Sequence, residues 1–373
     1  MNIRDQLVAK AQELGFADLG ITTAEPFAEQ YAILDQRWEA YAWTLDRRMD
    51  LKGGLDPRAA LPQARSIIVL LHAFFQESYP CQMERHFGRC YLDDDRVTKD
   101  GLALKLRAFR DFLASLGIQS KVPPYLPQRL AAARAGLGDF GKNCLLYAHR
   151  VARQGSWVTV VALVVDAEFT PDEPTERVGC PDWCHNACLT ACPTGALKGP
   201  RHLDPRRCIS YLTYFGQDLT PRELREPMGL YVYGCDRCQD VCPRNAAWLA
   251  ADLPPNPRAA AKAPDFALDK LLHMDEAYFQ QRIWPHMFYM KADELWRWRM
   301  NVARVMGNTR DERHLPDLAR AFREQPDPRA RAMCAWAMGR IGGPAARAAL
   351  DSLEASGDPL VAGELEMARA ACA

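Results

Sequence analysis

The chain carries no excess of charge of either sign: its 373 residues hold 47 basic and 47 acidic side chains. That balance argues against a protein built first to coat nucleic acid or a membrane surface, and leaves room only for a local basic patch. A long hydrophobic run is also missing. No stretch approaches eighteen consecutive apolar residues, so no membrane-spanning helix and no membrane partner are expected. The start of the chain has an amphipathic helix pattern over residues 2–15, not a basic run followed by an apolar core. No export signal is read there, and a cytoplasmic location is expected. The zinc-protease spelling H-E-x-x-H is absent. An apolar share of 48% with 25% charged residues excludes disorder, and the length suggests two or three domains.

Cysteine is what the chain has in quantity. Eight of its thirteen cysteines fall between Cys180 and Cys242. Without an export signal, so dense a block reads as a metal or cluster site before it reads as disulfides. One run is Cys180-x3-Cys184-x3-Cys188-x3-Cys192-Pro193; the second is Cys208, then Cys235-x2-Cys238-x3-Cys242-Pro243. Both end in C-x3-C-P, as do the runs of bacterial two-cluster ferredoxins, where the fourth cysteine of each run ligates the other cluster. Each iron of a [4Fe–4S] cube takes one soft, anionic ligand, which thiolate supplies. A crossed assignment follows: Cys180, Cys184, Cys188 and Cys242 for one cluster, Cys192, Cys208, Cys235 and Cys238 for the other. Structural zinc, which also accepts four thiolates, is the alternative. His185 lies inside the first run and reads as an exposed neighbour.

Around this block the chain divides. Residues 1–166 read as mixed α/β, with short apolar runs at Ser66–Phe75 and Trp157–Val165 as buried strands and helical spacing from Lys99 to Leu116. Residues 167–250 form the cysteine segment, rich in proline and glycine and poor in periodic pattern, which a cluster would cross-link. Residues 251–290 read as a connector: a proline- and alanine-rich linker, then an aromatic stretch around Phe279, Trp284, Phe288 and Tyr289. Residues 291–373 repeat internally. ARVMG at 303–307 returns as AWAMG at 335–339, Leu318 as Leu350, and Asp327-Pro328 as Asp358-Pro359. A helix pair repeated at this period predicts an α-solenoid of HEAT-like form.

Two short segments complete the candidate site. Pro123 to Leu146 runs from prolines through a helix into a glycine-rich turn, AGLGDFGKN. Glycines so dense suit a close backbone approach to a flat or phosphorylated ligand, or a tight helix cap. Gly136, Gly138, Gly141, Lys142 and Asn143 are therefore the candidate cofactor contacts, and Asp139 is a further side chain able to face such a pocket.

LDPRAALPQARSIIVL (55–70), RAGLGDFGKNCLL (134–146), GSWVTVVALVVD (155–166), ACPTGAL (191–197), RRCISYLT (206–213), GCDRCQDVCPRN (234–245) and AWAMGRIG (335–342) together resemble the epoxyqueuosine reductase family, which is related to corrinoid-dependent reductive dehalogenases. The resemblance spans almost the whole chain. It implies an α/β (α+β) nitroreductase-like domain that binds cobalamin, a ferredoxin-like domain with two [4Fe–4S] clusters, and a C-terminal HEAT-like α-solenoid. Electrons would pass through the clusters to a corrinoid that reduces the substrate. A low-potential donor of ferredoxin or flavodoxin type is implied, and tRNA is a possible partner of the solenoid.

Two departures qualify the resemblance. Members that modify tRNA carry an acidic proton donor just before Ala-Gly-Leu-Gly, whereas Val122 to Arg129 here contains neither Asp nor Glu. The tryptophan usual after Gly-Leu-Gly is Asp139. Activity on epoxyqueuosine in tRNA is accordingly in doubt, and Tyr125 is the candidate replacement acid, since a phenol stays protonated at neutral pH. An electron-transfer protein serving a corrinoid partner, or a non-catalytic RNA-binding relative, are the competing readings. Residues 291–347 hold twelve basic and seven acidic side chains, a mild surplus that a basic stripe along the solenoid would explain.

Overall fold

The computed structural model describes residues 2–92, 101–151, 153–175, 178–287, 289–355 and 357–372. Of the residues singled out above, Lys99 and Phe288 lie outside them. The chain forms two compact units, each assembled from three segments. Met1–Gln76, Lys99–Pro205 and Arg237–Leu253 make the first; Glu77–Thr98, Arg206–Asp236 and Pro254–Ala373 make the second. The consecutive blocks read from the sequence are thus interleaved, and the cysteine segment contributes to both units.

The first unit is mixed α/β. Its central sheet is antiparallel throughout, with β1 (Asp18–Thr23), β2 (Ser66–Ala73), β3 (Ser120–Lys121) and β6 (Val158–Val165) in the order β1-β2-β6-β3. A separate hairpin pairs β4 (Gly138–Phe140) with β5 (Leu146–Ala148). β2 and β6 are apolar on both faces over Ile67–Leu71 and Val160–Val165, where both faces are covered. Alternate residues Ile68, Leu70, Leu163 and Val165 meet Leu7 of helix α1 (Ile3–Glu13) and Phe109 and Leu113 of helix α2 (Leu102–Ser115). Ile67, Val69 and Leu71 point the other way and are equally buried, and helix α3 (Gln128–Arg134) packs on the same strands. The strands and helices expected from the sequence are present with ends shifted by at most three residues, as element boundaries usually are.

The second unit contains the helical repeats. Helices α4 (Leu295–Thr309), α5 (Leu315–Glu324), α6 (Pro328–Ile341), α7 (Gly343–Asp351) and α8 (Pro359–Ala371) follow one another, with α4 packed on α6 and α6 on α8. The repeated glycine explains the spacing of these layers. A Cβ at Gly307 would lie 2.7 Å from the Cα of Ala337, and one at Gly339 would lie 2.8 Å from the Cα of Ala368. The same close helix crossing therefore recurs one repeat later. Asp327 and Asp358 each cap the following helix, accepting from backbone N–H groups of Arg329 and of Leu360 and Val361.

The expected connector at 251–290 is instead folded into this unit. Asn256 caps a helix at Pro257–Lys262, another helix spans Leu268–His273, and Phe266, Leu271 and Leu272 are buried. Phe279 packs edge-on against Trp298, and Tyr289 stacks on Tyr214. Trp284 stays 37% exposed.

Helix α4 is buried all round, and its polar residues also point inward. Arg297, Asn301, Arg304 and Asn308 fall at helical spacing on one face. Arg297 Nε donates to Gly216 O at 2.6 Å, and Asn301 Nδ2 donates to Thr213 O at 2.7 Å and Val232 O at 3.0 Å. Arg304 donates to Gly229 O and Tyr231 O, and Asn308 to Arg225 O and Gly229 O. This stripe supplies donors to the carbonyls of residues 213–232, a segment with little regular structure of its own.

Candidate iron–sulfur centre

Four of the eight block cysteines meet in the first unit. Cys180, Cys184, Cys188 and Cys242 line one recess of ≈ 290 Å³, part of it open to solvent, together with Lys142 and Arg244. The local chain explains how. After a turn of 3-10 helix at Asp182–Cys184, His185 and Asn186 both adopt left-handed conformations, with φ of 47° and 60°. Two left-handed residues in succession absorb the extra residue in the Cys184-x3-Cys188 gap and bring the Ala187–Ala191 helix, with Cys188, back onto the recess. His185 itself is exposed. Cys242 enters from the other side, after the helix Arg237–Asp240, which packs on the Ala187–Ala191 helix.

The recess suits an iron–sulfur cube. Burial pushes the Cys188 thiol up to about 11, and the nearby Cys242 and Cys180 add to this. Burial likewise raises Cys180, against which the Lys142 backbone N–H, 3.2 Å from its Sγ, and the Arg244 charge favour the thiolate. Four thiolates crowded here need a cationic body between them, and ferric and ferrous iron supply it. Among the described residues, no three His, Cys, Asp or Glu side chains converge closely enough to share a single ion. The four thiols instead surround the recess, as ligands of a polynuclear centre do.

The remaining four cysteines are divided between the units. Cys192 lies in the first, its Sγ 3.8 Å from Thr194 Oγ1, and Cys238 there accepts at its backbone carbonyl from Asn143. Cys208 and Cys235 belong to the second. Cys208 precedes the helix Ile209–Tyr214, and Cys235 packs against the cluster of Ile209, Leu212, Leu224 and Met228. Both flank the segment held by α4.

The glycine turn packs against the protein's own backbone and side chains. Gly136 has φ of 68°, which ends α3 in a left-handed turn. A Cβ on Gly136 would meet Glu173 O at 2.6 Å, one on Gly138 would meet Tyr147 O at 2.3 Å, and one on Gly141 would meet Asn143 and Tyr147. The need for glycine at all three positions therefore comes from contacts within the protein. Their spelling, G-x-G-x-x-G, signals a dinucleotide site only between a strand and a helix; here a helix precedes and a hairpin follows. Lys142 and Asn143 belong to the cysteine recess. Lys142 Nζ donates to Asn186 Oδ1 at 2.6 Å, and Asn143 Nδ2 donates to the Tyr147 hydroxyl at 2.9 Å. Tyr125 is half-buried, its hydroxyl donating to Arg48 O at 3.3 Å.

Two further residues line the recess that sequence patterns did not select, Tyr147 and Arg244, and a third, His149, stands behind them on Asp139. Tyr147 is fully buried with its hydroxyl against Cys242, and burial carries it well above the ordinary tyrosine range. Arg244 lies two residues beyond Cys242, and this position next to the C-x3-C-P ending was the available signal. Tyr147 and His149 carry none, because the β4–β5 pairing sets Tyr147 opposite Asp139 and His149 reaches only that carboxylate.

Comparisons with known proteins find relatives along almost the whole chain. A family model described as a 4Fe–4S double cluster binding domain matches residues 182–245, and a HEAT-repeat model matches residues 289–369. Epoxyqueuosine reductase of Bacillus subtilis (strain 168) is 30% identical over 367 residues, covering 92% of this chain and 89% of that protein. The enzyme of that name from Listeria monocytogenes is 28% identical over 387 residues, covering 97% and 96%. Among solved structures, the Bacillus subtilis epoxyqueuosine reductase with its aspartate-bearing catalytic loop swung out of the active site aligns with a TM-score of 0.80 at 29% identity, over 99% of this chain and 98% of that one. A crystal structure of epoxyqueuosine reductase with an epoxyqueuosine-modified tRNA-Tyr stem loop aligns with a TM-score of 0.80 at 28% identity, again over 99% and 98%.

Proposed function

The chain belongs to the epoxyqueuosine reductase family, an iron–sulfur oxidoreductase with two [4Fe–4S] clusters, and we propose that it is a corrinoid-dependent reductase of a modified nucleoside in tRNA. The recess framed by Cys180, Cys184, Cys188 and Cys242 carries this reading, because it joins the end of the second cysteine run to the first. The complementary set is Cys192, Cys208, Cys235 and Cys238. Two cubes in series pass single electrons, drawn from a low-potential ferredoxin or flavodoxin. The thiolates must stay reduced to bind iron, which fits a cytoplasmic setting. No helix among the described residues is long and apolar enough to cross a membrane.

Cobalamin enters this reading through the family and a nitroreductase-like first domain. When bound, a corrinoid supplies a low-valent cobalt able to reduce the substrate. The glycine turn offers it no open cradle, because protein atoms fill the space beside all three glycines. Its contacts are sought on other residues of the first unit, and no step is assigned through this turn.

The proton has to come from a group other than a carboxylate of residues 122–129, since none is there. Tyr125 is the proton donor proposed for that segment. Its bond to the Arg48 carbonyl is long and partly solvated, so exchange for a substrate atom costs little. The same missing carboxylate favours a second reading, in which the protein delivers electrons to a corrinoid partner and performs no substrate chemistry.

Anaerobic protein loaded with iron, sulfide and cobalamin tests these readings with epoxyqueuosine-containing tRNA and a strong reductant. Turnover is expected, and replacement of Tyr125 by Phe should slow it by about 10²–10⁴-fold. Undiminished activity in Tyr125→Phe removes the tyrosine from the mechanism. No turnover by the wild type, with both clusters intact and reducible, supports the electron-transfer reading.

A further inference from the structure

Asp139 touches both ends of the four-cysteine set. Its carboxylate fills the space where a Cβ at Gly179 would stand, at 2.1–2.3 Å, so the residue before Cys180 has to be glycine. Its Oδ1 accepts from Nη1 of Arg244 at 2.5 Å, two residues beyond Cys242. Its Oδ2 faces Nε2 of His149 at 2.8 Å. Directly opposite on β5 stands Tyr147, and the Arg244 guanidinium lies 4.3 Å from the centre of that ring. Arg244 is 19% exposed at its side chain and Asp139 5%. The other cation of the recess, Lys142, directs its ammonium to Asn186 instead.

We propose that Asp139 is a positioning residue that fixes the Arg244 guanidinium against the first iron–sulfur cluster and thereby raises that cluster's reduction potential. The proposal rests on Cys180, Cys184, Cys188 and Cys242 being that cluster's ligands. Reduction adds one negative charge to an already anionic centre. A cation held beside it in a partly dehydrated setting stabilises the reduced form more than the oxidised one. Arginine suits the task because its charge is permanent and its planar fork can be locked by a carboxylate on one side and an aromatic ring on the other. Asp139 has a second consequence: it packs on Gly179, just before the first ligand, and pairs with Arg244, two residues beyond the last, so the two cysteine runs close on one buried carboxylate. The tryptophan that the family resemblance places at this position could not hold an arginine this way.

The test is a redox titration followed by electron paramagnetic resonance on the full, anaerobically prepared chain, with iron counted in every variant. The signal lost in Cys242→Ser defines the first cluster. If no signal is lost, the ligand assignment fails, independently of the proposal. Arg244→Gln is expected to retain iron and to lower the reduced-to-oxidised ratio of the first cluster about tenfold at fixed potential, a shift of about 59 mV for one electron. Arg244→Lys, which keeps the charge, should shift it less. Asp139→Asn should shift it in the same direction as Arg244→Gln and add nothing in the Arg244→Gln background. An unchanged potential in Arg244→Gln overturns the proposal. So does an upward shift in Asp139→Asn, or full additivity of the two changes, since either means that Asp139 acts by its own charge. Loss of the first cluster's iron in Arg244→Lys would mark the pair as structural only.

Discussion

Replacing Gly138 by alanine should damage the first unit without any corrinoid present. Gly138 sits in β4 opposite Ala148, and an added Cβ would lie 2.3 Å from the carbonyl oxygen of Tyr147 and 2.9 Å from its carbonyl carbon. Both atoms are backbone, so the clash is relieved only by moving β5 outward by about an ångström, beyond what overpacked sites absorb freely. Strain of about 1–3 kcal/mol is then expected. Loss of two ladder hydrogen bonds adds about 1–3 kcal/mol. The sum, about 2–6 kcal/mol, is a large share of the roughly 5–15 kcal/mol that holds a domain together. At about 2–4 °C per kcal/mol for a domain of this size, the midpoint should fall by about 4–24 °C. Asp139 and Tyr147 ride on the displaced strands, so the first cluster should also lose iron faster to a chelator. The assay is thermal unfolding of the cluster-loaded, corrinoid-free protein, with chelator-driven iron release measured in parallel. Wild-type midpoint and wild-type iron release in Gly138→Ala would refute the argument and return the glycine to a ligand-contact role.

Three other outcomes follow from the same geometry. Cys242→Ser should abolish the cluster built on Cys180, Cys184 and Cys188 and spare the one that includes its sequence neighbours Cys235 and Cys238, leaving about four irons of eight per chain; loss of the neighbours' cluster instead would contradict crossed ligation. Asn301→Leu strips the carbonyls of Thr213 and Val232 of their donor, at about 1–3 kcal/mol each, and removes an amide oxygen that has no partner of its own. A net loss of about 1–3 kcal/mol in urea unfolding is expected, and a change below about half a kcal/mol would show that the segment does not depend on α4. Gly339→Val places a branched side chain against the Cα of Ala368, so it should release α8 and make the C-terminus protease-sensitive, while Gly363→Val, with open space around it, should not.

What the sequence discloses here follows from how local each signal is. The two C-x3-C-P endings are local, so the recess and its four cysteines could be named without a structure. The buried strands at 66–73 and 158–165 were equally plain, because apolar residues on both faces of a short β-branched run leave little alternative. The glycines were visible but their reason was not: whether a missing side chain makes room for a ligand or for a strand depends on the partner, and the partner was Tyr147. Arg244, Asp139 and His149 form their network across residues 139 to 244, a separation no local pattern spans. The stretch at 251–290 read as a linker because proline and alanine dominate its start. Its large residues, among them Phe266, Leu271, Leu272, Met274, Phe279 and Ile283, nonetheless bury it.

The basic surplus of the repeats shows the same limit and leads to a prediction about tRNA. Composition counts twelve basic side chains in residues 291–347, but phosphates meet only those that face outward. Arg297 and Arg304 are buried and bound to carbonyls. Arg313, Arg320, Arg329 and Arg347 are each paired with an aspartate, and Arg340 with Glu226. Arg299 donates to Met274 O and Arg331 to Phe322 O. Among the described residues this leaves Lys291, Arg310 and Arg323 as exposed cations outside those pairs. Three phosphate contacts would contribute a slope of about −2 to −3 to the dependence of log affinity on log salt, at roughly −0.7 to −0.9 per phosphate. Replacing the three together by alanine should therefore flatten the slope by about that amount. Replacing Arg313 and Arg320 should leave it nearly unchanged, because their aspartates already neutralise them. The measurement is filter binding of a modified tRNA stem loop over a salt series. A slope unaffected by the triple replacement would place the RNA elsewhere on the protein. A slope that flattens instead in Arg313→Ala and Arg320→Ala would mean that those ion pairs open to take up phosphate.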